Sequence, residues 1–87
     1  MRTQLTNNQI NLGIDKFIAK LFYRLNQKGY GTFASSHEIL GVITEEYKEA
    51  TDAVHSNNKE ELSKELLDLA VGSIFGMICL DENTVDW

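Results

Sequence analysis

ILGVITEEYKEATDAVHSNNKEELSKELLDL, residues 39–69, decides the fold of this chain. Apolar residues recur at helical spacing on both sides of a short polar break, Ser56-Asn57-Asn58. So short a connection makes the flanking helices antiparallel neighbours. Each helix carries an acidic pair at a spacing of three, Glu46 with Glu49 and Glu65 with Asp68. Residues three apart on a helix project side by side. Glu49 lies about two turns before the end of one helix and Glu65 about two turns into the next. The pairs therefore meet at similar height, and four carboxylates converge on one point. Like charges in a poorly solvated site oppose ionisation. A hard divalent cation relieves that cost and turns the cluster into a site that grips phosphates.

Working outward, the chain contains no proline, which permits long uninterrupted helices. A first helix is expected from about Asn8 to Lys28, with Ile10, Ile14, Phe17, Ile18, Leu21 and Leu25 at helical spacing. Gly29 is its C-terminal stop. The segment GYGTFAS, residues 29–35, reads as a loop, and Ser35 with Glu38 forms a capping box. The second helix runs from about Ser36 to His55, with Ile39, Val42, Ile43, Tyr47, Ala50 and Val54 as its apolar face. Asn58 and Glu61 offer another capping box, and the third helix runs from about Lys59 to Leu80. That helix has more apolar surface than one stripe needs, so it is expected to pack on a partner chain as well. Asp81 to Trp87 is a polar tail. The fold class is all-α: three main antiparallel helices with a short C-terminal tail, completed into a helical bundle by homo-oligomerisation.

Bulk properties agree with a single domain over residues 1–87. A chain of this size buries only about 60–65% of its unfolded surface, and oligomerisation is a common remedy. Hydrophobic content of 43% with 24% charged residues is ordinary for a folded domain. The net charge of −5, with no basic stripe expected, argues against nucleic-acid or anionic-membrane partners. The longest apolar stretch, Leu69 to Leu80, is too short to span a bilayer. Met1 to Gln9 lacks the apolar region of a signal peptide. The single cysteine, Cys79, reads as a buried core thiol and favours a reducing, cytoplasmic setting.

Glu60, Glu61, Asp52 and Glu82 read as ordinary surface charges. Glu46 differs, because Ile39, Val42, Ile43, Ala50 and Ala53 surround it at helical spacing. Asp68 neighbours Val71, and Glu65 has Leu62 and Leu69 beside it. A charge on such a face needs a cation, a basic partner or water. Gly72 and Gly76 follow Asp68 at one-turn intervals. Glycine inside a helix costs roughly 1 kcal/mol relative to alanine, so close approach of another helix, or room for a ligand, is expected there.

The run Glu45-Glu46-Tyr47-Lys48-Glu49, then 15 residues, then Glu65-Leu66-Leu67-Asp68, resembles the EExxE…ExxD signature of MazG-like nucleotide pyrophosphohydrolases. The preceding GTFASSHEILGVI segment, residues 31–43, is similar to the short phage-type and mobile-element members. The likeness covers roughly Phe17 to Leu80. It implies an all-α dimer or tetramer that hydrolyses a nucleoside triphosphate, usually a deoxy or non-standard one, to monophosphate and pyrophosphate. The cofactor implied is Mg²⁺, with Mn²⁺ as a substitute. Glu46, Glu49, Glu65 and Asp68 would be the metal ligands. Glu45, the further acid of the motif, is the catalytic candidate: it orients a ligand or a water, or else stands solvated. His37 and Lys64 are the substrate-binding candidates. A full fourth helix is not evident after Leu80, so the tail or a second protomer must complete the pocket. Tyr30, Phe33 and Trp87 are aromatic enough to stack on a base, although packing is the default for each.

Two rivals remain at this level. One is a non-catalytic helical oligomeric interaction module that retains the fold. The other is a carboxylate-bridged di-iron bundle, which wants two Glu-x-x-His pairs. Neither His37 nor His55 follows a glutamate at that spacing.

Overall fold

A computed structural model describes residues 2–87. Among them there are three helices, α1 (Asn7–Lys28), α2 (Ser36–His55) and α3 (Lys59–Asp81), and no strand beyond an isolated bridge. The architecture is all-α, as the periodicity predicts. Two compact units divide the chain, Met1–Tyr30 and Gly31–Trp87.

The first unit is built on α1. Thr6 starts the helix one residue earlier than the apolar pattern suggests. Its hydroxyl accepts from Gln9 N at 3.1 Å, while the Gln9 side chain accepts from Thr6 N at 2.9 Å. This full capping box satisfies two of the helix's orphan donors. Gly29 ends the helix at φ 87°, a left-handed value that costs glycine nothing, and its N–H donates to Leu25 O at 2.8 Å. No α1 residue is fully buried. Lys16, Lys20, Arg24 and Lys28 recur every four residues along it, with Lys20 Nζ 5.6 Å from the centre of the Tyr23 ring. The expectation that no basic stripe exists is therefore corrected. Averaging over the chain hides it, because twelve of the thirteen acidic residues lie in the other unit.

The second unit is an antiparallel α2–α3 hairpin. Ser35 caps α2 by accepting from Glu38 N at 3.1 Å. The Glu38 carboxylate reaches one residue further than a capping box requires and accepts from Ala34 N at 3.1 Å. The far end of α2 closes with Asn57 at φ 56°. Asn57 N donates to Val54 O at 3.1 Å and Asn58 N to Ala53 O at 2.9 Å, the paired bonds of a Schellman stop. Asn58 then immediately caps α3, accepting from Glu61 N at 3.0 Å. One helix stop is thus fused to the next helix start, with no slack between them. The end of α3 repeats the device at Asn83, φ 60°, with Thr84 N donating to Cys79 O at 3.0 Å.

Small residues line the seam between the two helices. Ala50 is 8% exposed and Ala53 is 3% exposed. A Cβ built on Gly76 would stand 3.2 Å from Ile39 Cγ2, and one on Gly72 would stand 3.5 Å from Val42 Cγ1. The helix glycines are therefore explained by close approach of α2. The seam lies further round α2 than its apolar stripe suggests: Tyr47 and Val54, expected on the inner face, are exposed. Small side chains at the crossing let the backbones approach, and the larger ones are pushed to the flanks. Val71 and the free thiol of Cys79 are buried in the same unit, the latter as expected. Phe33 packs edge-on against Phe75 with centroids 5.4 Å apart, which fixes the approach to α2. The tail is tied to the start of α2: Asp86 N donates to Ala34 O at 2.8 Å, and Ser36 N to Asp86 O at 3.1 Å.

Candidate metal centre

The pairing of Ile39 with Gly76 and Val42 with Gly72 sets the register of the hairpin. Carried toward the turn in antiparallel steps, that register puts Glu46 opposite Asp68 and Glu49 opposite Glu65. Carboxylate oxygens of Glu46, Glu49 and Glu65 all lie within 4.8 Å of one another. Asp68 stands beside this group, half-buried, and its charge acts on Glu65. Three of the four expected ligands thus meet in one tight group, with the fourth on its border.

Burial is graded across the cluster. Glu65 is only 4% exposed, Glu46 is half-buried and Glu49 is open to solvent. One oxygen of Glu65, Oε2, is buried with no hydrogen-bond partner. The side chain of Glu65 is held in its proton-bearing form: its pKa is pushed up from 4.5 to about 8. The leading cause is a hydrogen bond with Glu49, followed by burial, a hydrogen bond with Glu61, and the negative charges of Glu49 and Asp68. Each of these favours the neutral acid over the carboxylate.

An open cleft of about 520 Å³ runs from the cluster toward the Ser56–Asn58 turn. Glu49, Asp52, Ala53, Ser56, Glu61, Lys64 and Glu65 line it. Lys64, a substrate-binding candidate, is therefore beside the carboxylates. His37, the other candidate, is exposed in the first turn of α2, about 13 Å along the helix from Glu46 at 1.5 Å per residue. The two candidates are not brought together. Glu45 is exposed one turn before Glu49 and outside the tight group. Tail residues do not line the cleft; the tail ends at the opposite end of α2. Asp52 and Glu61, expected as plain surface charges, form part of the cleft wall. The available signal was spacing: Glu61 precedes Glu65 by four residues and Asp52 follows Glu49 by three, so each shares a helix face with a ligand.

The donor set suits a hard cation. It is all carboxylate oxygen, without the imidazole or thiolate that zinc and softer metals prefer. A buried carboxyl with an oxygen lacking any partner is what a cation would complete. Glu46, Glu49 and Glu65, with Asp68 adjoining, are the residues that would hold it. Among the described residues no helix is long and apolar enough to cross a membrane. No family model, curated protein or solved structure matches this chain.

Proposed function

We propose that the protein is a metal-dependent nucleotide pyrophosphohydrolase of the MazG-like kind, which cleaves (deoxy)nucleoside triphosphates to monophosphate and pyrophosphate. The observation that carries the reading is the convergence of Glu46, Glu49 and Glu65 within 4.8 Å, with Glu65 buried. Their spacing along α2 and α3 is that of the double acidic pattern, Glu45-Glu46-x-x-Glu49 and Glu65-x-x-Asp68, which resembles the signature of that family. Mg²⁺, or Mn²⁺ in its place, supplies charge neutralisation and Lewis acidity at the phosphates when bound.

The chain's own residues divide the remaining work. Glu46 and Asp68 set the floor of the site. Glu65 gives up its proton when a cation occupies the site, because ligating carboxylates must be ionised. Lys64 lies in the cleft wall, where its ammonium meets phosphate oxygens. Water attacks the α-phosphorus, the α–β anhydride bond breaks, and pyrophosphate departs. A carboxylate of the cluster not fully engaged by the cation accepts the proton of the attacking water, while Glu45, exposed one turn before Glu49, stands outside the tight group and orients a water at its edge. The protein acts as a homodimer or homotetramer in a reducing cytoplasm. Support for assembly comes from exposed apolar residues: Ile10, Ile14, Ile18 and Phe22 on α1, and Leu66, Met77 and Ile78 on α3. A second protomer then supplies the wall that the tail does not.

The test is a panel of standard and modified triphosphates with Mg²⁺ or Mn²⁺, in which both products are identified. Monophosphate and pyrophosphate in equal amounts are expected for at least one substrate. Successive release of orthophosphate overturns the assignment, and silence across a broad panel favours the interaction module. Glu49→Gln, which removes one of the residues that would hold the cation, should lower turnover by more than about 100-fold, since loss of a mere supporting partner already costs about 10–100-fold. Its circular dichroism should remain helical, since the change removes a repelling charge.

A further inference from the structure

Helix α3 carries apolar side chains that its pairing with α2 does not use. Leu66 is 52% exposed, Met77 49% and Leu80 44%. With Leu62, Ala70 and Ser73 they form one row, because residues three, four or seven apart share a helix face. At about 100° per residue, this row stands about 100° round α3 from Gly72 and Gly76, which face α2. Leu40, Tyr47 and Val54, exposed on α2, stand about as far round from Ile39 and Val42, in the same sense. In an antiparallel pair, equal turns bring both rows to one side of the hairpin. Asp52 and Lys64 are turned the opposite way, so the cleft opens on the other side. The row on α3 reads alike from either end. Ala70 and Ser73, both small, are its centre; Leu66 and Met77 lie one turn outside them, and Leu62 and Leu80 about two turns outside. It is uncharged except at its ends, where Lys59 opens the helix and Asp81 closes it, both exposed.

We propose that a second copy of this chain covers the row, with the two α3 helices antiparallel about Ala70 and Ser73. A palindromic row suits a two-fold axis, across which one patch meets itself. Antiparallel copies set Leu66 of each against Met77 of the other and bring Lys59 of each to Asp81 of the other. Parallel copies would set Lys59 against Lys59 and Asp81 against Asp81, which repel. The small centre lets the two backbones approach. The proposal deepens the assembly in the reading above and rests on that assembly, not on the chemistry. Both clefts face away from this contact, so the wall of each cleft falls to a further copy.

The experiment measures the mass of the full chain in solution by sedimentation velocity, without metal or nucleotide. Leu66→Glu and Met77→Lys each put a charge into the row. Both side chains are exposed within one chain, so the hairpin keeps its core and circular dichroism should stay helical. Each variant alone should fall to half the mass of the wild type. Mixed in equal amounts, the two should regain it. The new carboxylate of one copy then meets the new ammonium of the other, while Met77 and Leu66 still meet at the second contact. Parallel pairing gives no such rescue. The exchanged pair, Leu66→Lys with Met77→Glu, should behave alike and guards against a single variant that folds poorly. A monomeric wild type, single variants of full mass, or mixtures that stay at half mass overturn the proposal. A wild type that pairs in this way and cleaves no triphosphate upholds it and rejects the pyrophosphohydrolase; a monomer that turns over does the reverse.

Discussion

Glu65 concentrates the chemistry of the protein in one side chain. Folding carries it from water, where its pKa is 4.5, to a buried site where that value is about 8. Between those values the folded chain binds more protons than the unfolded one. Stability contributed by this group is therefore fully present below pH 4.5 and is lost as pH rises through 8. We expect melting temperature in EDTA to fall between pH 5 and pH 8, with Mg²⁺ flattening the slope because the cation replaces the proton. Glu65→Gln keeps a donor for Glu49 and has nothing to titrate, so its metal-free melting temperature should exceed that of the wild type at pH 8. Thermal denaturation followed by circular dichroism checks both; a wild type more stable in EDTA at pH 8 than at pH 5 contradicts the account. The partners of Glu65 were partly legible in the sequence. Spacing within a helix identifies Glu46 with Glu49 and Glu65 with Asp68. The contribution of Glu61 depends on which way α3 is rotated, and in the sequence an acid of the first helical turn looks the same whether it lines a cleft or faces solvent.

At the scale of elements, the seam between α2 and α3 sets the distances in the metal centre. Its glycines are not equivalent. A Cβ at Gly72 meets Val42 at 3.5 Å, ordinary contact, so Gly72→Ala should stabilise by up to about 1 kcal/mol through helix propensity. A Cβ at Gly76 meets Ile39 Cγ2 at 3.2 Å, and a β-branched neighbour is too stiff to give way. Gly76→Ala should destabilise by about 1 kcal/mol or more, as overpacking does. Urea unfolding of the two variants measures the contrast; a more stable Gly76→Ala would mean that α3 has room to move. Helix limits were legible to within about a residue because caps are local chemistry. Ser35, Asn58 and Gly29 act on neighbours three or four positions away. The inner face of α2 was not, because Tyr47 and Val54 match the helical period as well as Ala53 does. Only the closeness of α3 selects the smaller residue.

At the scale of the molecule, the two units carry opposite character. Five of the eight basic residues belong to Met1–Tyr30, and twelve of the thirteen acids to Gly31–Trp87. Each unit also leaves large apolar side chains in water: Leu12 at 65%, Phe22 at 51%, Leu40 at 62% and Leu66 at 52% exposed. Isolated exposed apolar residues are ordinary, but so many on so short a chain call for cover. We expect a dimer or larger species by light scattering at micromolar concentration. A monomer that stays folded on dilution would remove the second protomer from the proposed pocket.

The turn at Ser56–Asn58 has a consequence for how this chain tolerates change in length. Its stop for α2 and its start for α3 share adjoining residues, so an added residue has no loop to enter. It must lengthen a helix, and one extra helical residue rotates everything beyond it by about 100°. Inserted after Glu49 and before Glu65, it would swing Glu65 and Asp68 off the face they share with Glu46 and Glu49. Deletions act with the opposite sign and to the same end. The interval between the two acidic pairs is thus a fixed ruler. The segment from Gly31 to Ala34, which lies outside the helices and bears no ligand, is where growth of the chain can be absorbed.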